Sequence, residues 1–436
     1  MKALEVYYKK FLAGYLSRSE LGEFEFVYSE EYLRSSLPAI SITLPKQRDA
    51  FLSDDLFYFF DGLIPEGWLL NLAADKFKYD PLRDRFELLE KLCADCIGAV
   101  YIKSEEDDID KLDNRELILD SGERKTSNLK KCLICYEKSE DIYHEECAKS
   151  VFGQVIDPHI YIDDKKLKVL AEKQLEHRST TTGVQKKISL DLIKGEKGVR
   201  LTMTNLWGRF IFKPPGLAPH IPENEHLCVK LAELSGIKIE KSALIPMGEG
   251  RLGFIAARFD RGPNFEKYHQ EDFCQILEKE SYKKYNGSIE QIGKVLKVYS
   301  DFPGDNLYRL FELTIFNFLI GNVDAHLKNF SLSYENIDGQ RMLLSPAYDL
   351  LSTDLYIKDN EQCALAINGK KNKLKESDFK VLCDSLALNE KVLDNILKKF
   401  KKLKPDWESF ILKSFLCESD KKKFINLINK KFEIFE

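Results

Sequence analysis

The chain has 436 residues, which is too long for one ordinary hydrophobic core and favours two or three domains. Its hydrophobic content of 44% and aromatic content of 11% exclude a disordered or fibrous protein. The 66 basic and 71 acidic residues give a net charge of −5, so no overall basic field marks the chain as a nucleic-acid binder.

The sequence predicts neither a membrane protein nor an exported one. No run of about 18 apolar residues indicates a membrane-spanning helix. A short apolar patch near the start is broken by lysines and does not predict a signal peptide. Ten cysteines are too sparse for a disulfide scaffold, so we expect reduced thiols and a location in the cytoplasm.

The first predicted domain, residues 1–103, is a small α+β unit. Three of its segments alternate with the two-residue period of half-buried strands, namely 3–8, 23–28 and 39–45. Residues 54–77 predict a helix, a turn at Pro65 and Gly67, and a second helix. Residues 91–102 predict a helix end followed by a strand.

A linker and a cysteine-rich insert come next. We interpret residues 104–130 as an acidic linker, because 104–126 holds nine acids against four bases and few large apolar groups. The insert, residues 131–153, carries a complete tetrahedral zinc set at suitable spacing, formed by Cys132, Cys135, His144 and Cys147. We predict a zinc knuckle here, with four unrelated residues or a vacated site as the alternative. Cys93 and Cys96 share the two-residue gap but have no second pair nearby, so we expect core thiols.

The remainder predicts a strand-rich lobe at 154–270 and a helical lobe at 271–436. Six segments of the first lobe read as strands, namely 159–163, 186–193, 198–204, 208–215, 242–248 and 252–261. One helix interrupts them, with Pro222 near its start and Gly236 just past its end. The lysine-rich end keeps apolar residues at helical spacing, which favours a solvated helix face over a nucleic-acid patch.

The segment FNFLIGNVDAHLKNFSLS crowds polar residues between two apolar elements. Asp324 and Asn329 are five residues apart, as are the catalytic Asp and the metal-binding Asn of protein kinases. Asp349, twenty residues later, stands where a second Mg²⁺ ligand belongs. Upstream, Lys213 ends an alternating strand and Glu225 lies at the start of a helix. Each residue alone has an ordinary explanation as a turn former, a cap or a surface charge, but in this order they predict a phosphotransferase.

A phosphate-binding loop is predicted in STTTGVQKKISL. It has one glycine, Gly183, and lacks the glycine-rich kinase pattern. It still offers hydroxyls, backbone N–H groups and either Lys186 or Lys187 to phosphates.

Taken together, these residues resemble the HipA family of serine/threonine kinase toxins. The matching motifs of the two lobes are STTTGVQKKISL, FIFKPP, ENEHLC, ARFDR, QEDFCQ, LIGNVDAHLKNFSL, LSPAYDLLST and LAINGKKNKL. At the front, SITLPKQR, FFDGLIPEG and DCIGAV resemble the family's N-terminal subdomain. The likeness covers nearly the whole chain. It implies an α+β protein with a bilobal protein-kinase-like fold, a strand-rich N-lobe, a helical C-lobe and a small N-terminal α+β subdomain.

The resemblance also implies roles for single residues. Asp324 would be the catalytic base, Asn329 and Asp349 the Mg²⁺ ligands, and Lys213, beside Glu225, the lysine on the ATP phosphates. The loop over the phosphates would comprise Thr181, Thr182, Gly183, Val184, Gln185, Lys186 and Lys187.

Regulation by autophosphorylation is implied as well. In the family, a serine just before the glycine of this loop is phosphorylated, which ejects the loop and turns the kinase off. Thr180 stands at that position here, and Ser179, Thr181 or Thr182 could substitute for it. Arg178 and His326 match family positions that could hold phosphate or order the loop.

The implied activity is an ATP- and Mg²⁺-dependent protein kinase that phosphorylates an aminoacyl-tRNA synthetase and arrests growth. The implied partner is a HipB-like helix-turn-helix antitoxin, so that DNA is contacted only through the antitoxin, and no membrane is involved. Two alternatives stay open: an inactive kinase-like module that binds a partner, and a kinase for small molecules.

Overall fold

The computed structural model describes most of the chain. The described residues are 2–103, 117–118, 130–156, 164–176, 178, 185–195, 198–203, 208–216, 218–248, 250–262, 266–335, 341–357 and 361–436. Most of the predicted acidic linker, the predicted strand 159–163 and the loop residues 179–184 lie outside them. Within these ranges no helix combines the length and the apolar character needed to cross a bilayer.

The front subdomain is a five-stranded antiparallel sheet with helices packed on it. The strands lie in the order β4-β3-β2-β1-β5. Their bounds are β1 Lys2–Tyr8, β2 Phe11–Arg18, β3 Phe24–Tyr28, β4 Phe51–Ser53 and β5 Val100–Lys103. The helices are α1 Glu30–Arg34, α2 Tyr58–Asp61, α3 Gly67–Phe77 and α4 Arg85–Leu92. The two helices predicted within 54–77 and the helix end and strand predicted within 91–102 are confirmed. The sheet and its helices bury a hydrophobic core of their own.

The strand predicted at 39–45 is wrong. This segment forms a tight turn with a single bridge between Ser41 and Leu44. The Ser41 hydroxyl donates to Glu271 at 2.6 Å, and the Ile42 N–H donates to the same carboxylate at 3.3 Å. A contact with the helical lobe, far away in the sequence, thus decides the local backbone against its alternating pattern.

The strand-rich lobe is a six-stranded sheet in the order β10-β11-β9-β7-β8-β6. Its strands are β6 Leu117–Ile118, β7 Ile188–Gly195, β8 Gly198–Met203, β9 Phe210–Lys213, β10 Ser242–Pro246 and β11 Leu252–Ala257. The helices of this part are α5 Glu145–Phe152, α6 Asp164–Glu176 and α7 Ile221–Leu234. The predicted strands from β7 to β11 and the predicted helix α7 are confirmed.

Helix α6 was not predicted, although its sequence carries a helical pattern. Leu167, Leu170, Ala171 and Leu175 are buried at the i, i+3, i+4 and i+8 positions of one face. The first two lie in the large core of the lobes and the last two in the core of the front subdomain. Helix α6 therefore joins the two cores.

The helical lobe surrounds a small three-stranded sheet. Its strands are β12 Gln270–Asp272, β13 Ser331–Glu335 and β14 Arg341–Leu344. Its helices are α8 Phe273–Ile276, α9 Ile289–Tyr299, α10 Pro303–Ile320, α11 Glu376–Ser385, α12 Lys391–Lys413 and α13 Glu418–Phe432. The predicted lobe boundary at residue 270 falls inside β12, which pairs with β13. The lysine-rich α12 buries one apolar face and exposes its lysines, as predicted.

A buried ionic network ties the front subdomain to the lobes. Asp95 accepts from the Arg261 guanidinium at 2.8 Å and lies 3.3 Å from the Lys267 ammonium. Asp260 pairs with Arg258 at 2.7 Å and accepts from the Gly98 N–H at 2.9 Å. All of the ionic side chains are buried. Because unpaired buried charges are costly, this network fixes the position of the subdomain.

Candidate active site

A cavity of about 280 Å³ opens between the two lobes. Five side chains that the sequence singled out line it together, namely Lys213, Glu225, Asp324, Asn329 and Asp349. They come from β9, from α7 and from two loops of the helical lobe. The fold therefore gathers the predicted phosphotransferase residues into one place.

Lys213 is the buried cation of this cavity. Its ammonium contacts the carboxylates of Glu225 and Asp349, and only 4% of the lysine is exposed. Burial works against the charge on Lys213, but Asp349 and Glu225 outweigh it and raise the pKa of the ammonium. Burial likewise disfavours a charged Asp349, yet Lys213 and Lys187 hold the pKa of its carboxyl well below the usual range. Both groups therefore stay charged at neutral pH.

Asp349 has a left-handed backbone, with φ at +53°. Among non-glycine residues, Asp and Asn tolerate this region best. The preceding Tyr348 fixes the turn, since its hydroxyl donates to the Lys328 carbonyl at 2.8 Å. The turn presents the carboxylate to Lys213.

The loop with Asp324 follows a helix that is buried along most of its length. Helix α10 ends at Gly321, whose φ of +68° closes the helix with a left-handed residue. The Asn329 side-chain amide donates to the Asp324 carbonyl at 3.1 Å. That bond uses the amide nitrogen of Asn329 and leaves its amide oxygen available to a ligand.

Asp324 is held by a residue that the sequence analysis missed. The Tyr285 hydroxyl donates to the Asp324 carboxylate at 2.5 Å. Burial raises the pKa of Asp324, while Tyr285 and Lys284 oppose that rise. The Tyr285 ring also packs edge-on against His326, with ring centroids 5.1 Å apart. His326 thus lies in the cavity as expected, and burial lowers its pKa to about 3, which keeps the imidazole neutral.

Glu66 is a second missed residue, and it comes from the front subdomain. Its carboxylate pairs with Lys284 at 3.1 Å and with Lys328 at 3.3 Å. Burial opposes the charge on Glu66, but Lys328 and Lys284 outweigh it and lower the pKa of the carboxyl. Glu66 belongs to FFDGLIPEG, one of the motifs that resemble the HipA family. This motif was the sequence signal from which Glu66 could have been found.

The predicted phosphate loop is described only at its end. Thr181, Thr182, Gly183 and Val184 lie outside the described residues, as do the predicted phosphorylation sites Ser179 and Thr180. Gln185 and Lys187 line the cavity, and burial lowers the pKa of Lys187. Lys186 lies over the Trp68 ring, 5.6 Å from its centroid.

Arg178 lies against the front subdomain and does not line the cavity. Its guanidinium donates to the carbonyls of Glu90 and of Ile102, the latter at 3.2 Å. Its own carbonyl accepts from the N–H groups of Ala94 and Asp95. The expectation that Arg178 holds phosphate or orders the loop stays a prediction, with one guanidinium nitrogen already bonded to these backbone carbonyls.

Several buried polar atoms at the cavity have no hydrogen-bond partner among the described residues. They are Glu225 Oε2, Glu240 Oε1 and His326 Nδ1. Burial also raises the pKa of Glu240 to about 8. Buried polar atoms are rarely left unpaired, so the cavity is suited to a polar ligand.

Helix α13 supports the loop that carries Asp324. The Asp354 N–H donates to the Gly321 carbonyl at 3.1 Å, and the Asp354 carboxylate pairs with Lys431 of α13 at 3.1 Å. The Lys431 ammonium also lies 4.9 Å from the Phe318 ring centroid. Helix α13 therefore holds the joint between α10 and the loop.

The predicted metal ligands of the insert also come together. The ligand atoms of Cys132, Cys135, His144 and Cys147 all lie within 4.8 Å of one another. Cys93 and Cys96 are fully buried in the core of the front subdomain, as expected.

A strand-rich lobe, a helical lobe and a Lys–Glu–Asp cavity between them define a protein with the protein-kinase-like fold. The family model of the HipA N-terminal domain matches residues 4–103, and that of the HipA-like C-terminal domain matches residues 179–407. The chain belongs to the HipA family.

Individual relatives agree with this assignment. A Sinorhizobium fredii protein named "Putative kinase Y4mE" is 28% identical over 390 residues, which is 87% of this chain and 83% of that protein. The serine/threonine-protein kinase toxin HipA of Shewanella oneidensis is 28% identical over 198 residues, 40% of this chain and 44% of that protein. The HipA of the solved Shewanella oneidensis HipA, HipB and operator DNA complex has the same fold, with a TM-score of 0.72 at 20% identity, covering 99% of this chain and 96% of that chain.

Proposed function

We propose that this chain is a protein serine/threonine kinase that uses ATP and Mg²⁺ and acts as the toxin of a HipBA-like system. The observation that carries the proposal is the shared cavity of Lys213, Glu225, Asp324, Asn329 and Asp349. The family assignment and the names of the relatives support the same activity.

The ATP phosphates bind on the side of the strand-rich lobe. Lys213 neutralises phosphate charge, and Glu225 orients the lysine. Gln185 and Lys187, which line the cavity, belong to the proposed phosphate loop of Thr181 to Lys187. Catalysis of phosphoryl transfer depends mainly on positioning and charge neutralisation, which this set of residues provides.

Asn329 and Asp349 are the proposed Mg²⁺ ligands. Mg²⁺ prefers oxygen ligands, and the Asn329 amide oxygen and the Asp349 carboxylate both border the cavity. The low pKa of Asp349 keeps that carboxylate charged, as a metal ligand must be. Bound there, Mg²⁺ would supply charge neutralisation next to the phosphates.

Asp324 is the proposed base for the acceptor hydroxyl. Its carboxylate lies at the mouth of the cavity and already accepts a hydrogen bond from the Tyr285 hydroxyl. An acceptor serine or threonine hydroxyl would give its proton to the same carboxylate while its oxygen attacks the γ-phosphorus, and the bond from that phosphorus to the β,γ-bridging oxygen would break to release ADP. His326 and Lys328 border this position and complete its electrostatic surroundings.

The proposed target is an aminoacyl-tRNA synthetase, whose phosphorylation would stop translation and growth. The proposed partner is a HipB-like antitoxin with a helix-turn-helix, through which DNA is contacted. The proposed phosphorylation site for self-regulation is Thr180 or Ser179. The resemblance to HipA toxins supports all three, and the solved HipA, HipB and DNA complex supports the partner.

The test is a transfer assay with labelled ATP and Mg²⁺, offering the chain itself, a panel of synthetases and a cell lysate. We expect labelling by the wild type and at least about a thousandfold slower labelling by Asp324→Asn, since the base is lost. A matched melting curve must show that Asp324→Asn is folded. No transfer to any of the three substrates would refute the proposal.

The same assay separates the alternatives. ATP binding without transfer indicates an inactive binding module, whereas turnover of a metabolite alone indicates a small-molecule kinase. A phosphopeptide map with no phosphate between Arg178 and Thr182 would refute self-regulation at this loop.

A further inference from the structure

The cysteine-rich insert has the geometry of a metal site. The His144 Nδ1 atom lies 3.3 Å from Cys135 Sγ and 3.9 Å from Cys147 Sγ. Tetrahedral zinc with Zn–S bonds of about 2.3 Å and Zn–N bonds of about 2.0 Å places its ligand atoms about 3.5–3.8 Å apart. The two observed distances lie just below and just above this range, and all four ligand atoms lie within 4.8 Å of one another.

The orientation of the histidine agrees with this interpretation. The His144 Nε2–H donates to the Lys138 carbonyl at 3.0 Å. That bond fixes the tautomer and turns the Nδ1 lone pair towards the sulfurs, as outer partners of zinc-bound histidines do.

The insert packs apolar side chains such as Leu133, Tyr143 and Phe152 into the large core of the lobes. Cys135 is followed by Tyr136, whose backbone is left-handed with φ at +67°. A strained bulky residue next to a metal-ligand candidate indicates that something holds the turn in place.

Tyr136 connects the insert to the active-site helix. It is only 2% exposed, and its hydroxyl forms a 2.7 Å hydrogen bond with His226 Nδ1 of α7. His226 directly follows Glu225, the partner of Lys213. The Tyr136 ring stacks on Phe410 of α12, with centroids 4.8 Å apart. One side chain of the insert therefore contacts both α7 and the helical lobe.

A second anchor joins the insert to the edge strand β10. The Leu244 N–H donates to the Leu133 carbonyl at 3.1 Å. The Tyr143 hydroxyl donates to the Leu244 carbonyl at 2.6 Å. The insert thus covers the open edge of the strand-rich sheet and lies between that sheet, α7 and α12.

We propose that Cys132, Cys135, His144 and Cys147 bind one Zn²⁺, and that the metal-closed insert clamps α7 against α12 and keeps Glu225 on Lys213. Zinc binding stands by itself, whereas the effect on phosphoryl transfer rests on the proposed kinase function. Tyr136 is a positioning residue in this arrangement, because it acts on the cavity through His226 and α7.

The first experiment measures zinc in the purified full-length protein by elemental analysis. We expect one zinc per chain, loss of zinc in Cys135→Ser and Cys147→Ser, and retention in Cys417→Ser, a cysteine outside the insert. Co²⁺ exchanged into the site should show the absorption of a tetrahedral thiolate complex. A folded wild type without zinc, or full zinc in Cys135→Ser, would overturn the assignment.

The second experiment separates the clamp from the metal. Tyr136→Phe keeps the ring and should keep the zinc, but it lacks the hydroxyl that reaches His226. We expect about tenfold weaker ATP binding or slower transfer, whereas Glu137→Gln, which changes an exposed pair with Lys413, should stay within twofold. Zinc-bound Tyr136→Phe with wild-type ATP affinity and rate would overturn the clamp.

The two proposals fail separately. If the wild type transfers no phosphate, the kinase function fails, but zinc content, ATP affinity and amide exchange in α7 still test the clamp. If zinc-free protein keeps its fold, ATP affinity and rate, the clamp fails and the kinase function stands.

Discussion

Tyr285 places its hydroxyl at Asp324, where the acceptor hydroxyl of the proposed reaction would bind. Its hydroxyl donates to the Asp324 carboxylate at 2.5 Å, and the tyrosine is partly exposed at the mouth of the cavity. In the proposed reaction, a serine or threonine that approaches Asp324 Oδ1 would compete with this hydroxyl.

Removal of this hydroxyl should favour the acceptor. A hydrogen bond of about 1 kcal/mol corresponds to roughly fivefold, so Tyr285→Phe should lower KM for the protein substrate about fivefold and leave kcat within twofold. Tyr282→Phe, three residues earlier and well exposed, is the matched control. Steady-state kinetics measures both constants, and a large fall in kcat would instead assign Tyr285 to orienting Asp324 for the reaction.

The protonation state of Glu271 should affect the stability of the interface between the front subdomain and the helical lobe. It is fully buried and accepts hydrogen bonds from Ser41, Ile42 and Tyr334. Burial raises its pKa from 4.5 to about 7 despite these donors. The folded state therefore binds more protons than the unfolded state between these values.

The contribution of Glu271 to the free energy of unfolding should fall as pH rises from about 4.5 to 7. Above about pH 7 this contribution should stay constant. The loss from Glu271 is on the order of 2–3 kcal/mol. Glu271→Gln cannot ionise and should remove this slope. Denaturant titrations at pH 5 and pH 8 measure the difference, and an equal slope in both proteins would contradict the assignment.

The sequence predicted some residues of the cavity and missed others. Asp324, Asn329 and Asp349 were predictable because a short chain segment fixes their spacing. Glu66 and Tyr285 were not, since each reaches the cavity by a contact between elements distant in sequence. No local pattern carries that information.

At the scale of elements, the sequence predicts helix ends well where residues next to the helix end determine them. Helix α10 spans Pro303–Ile320, with Pro303 in its first turn and Gly321 just past its end, and residues of these two types are readable start and stop signals. Helix α6 had a readable apolar stripe that was overlooked. The segment 39–45 has the alternating pattern of a strand, which was misleading. It forms a turn because its backbone donates to the buried carboxylate of Glu271.

Gly321 should be essential for joining α10 to the catalytic loop. A Cβ there would lie 2.7 Å from a Leu427 methyl and 2.9 Å from Asp354 Cβ, and φ is +68°. Gly321→Ala should therefore destabilise the protein by about 2–3 kcal/mol. Gly304→Ala, in the first turn of α10 with open space around it, should be neutral or stabilising by up to about 1 kcal/mol. Denaturant unfolding compares them, and equal stabilities would contradict this account.

At the scale of the whole molecule, the front subdomain is part of the kinase. Glu66 reaches the cavity, and Asp95 lies in the buried network with Arg261 and Lys267. The class of fold was predictable from the sequence. The docking of the subdomain was not, because its ionic partners are more than 150 residues apart.

Loss of the Asp95 charge should weaken that docking. Asp95→Asn leaves two buried cations short of a counter-charge and should cost about 3–5 kcal/mol. Glu87→Gln removes a more exposed pair with Arg18 in the same subdomain and should cost less than about 1 kcal/mol. Thermal melts of the full chain measure both, and a similar melting temperature for the two variants would rule out a docking role for Asp95.

The support of the catalytic loop by α13 has a consequence for biosynthesis. A ribosome makes the chain from its amino end, so Asp324 leaves the exit tunnel before Lys431 does. Until then, Asp354 lacks the partner that steadies the joint at Gly321. The nascent chain therefore gains this support for the joint at Gly321 only after α13 has been translated.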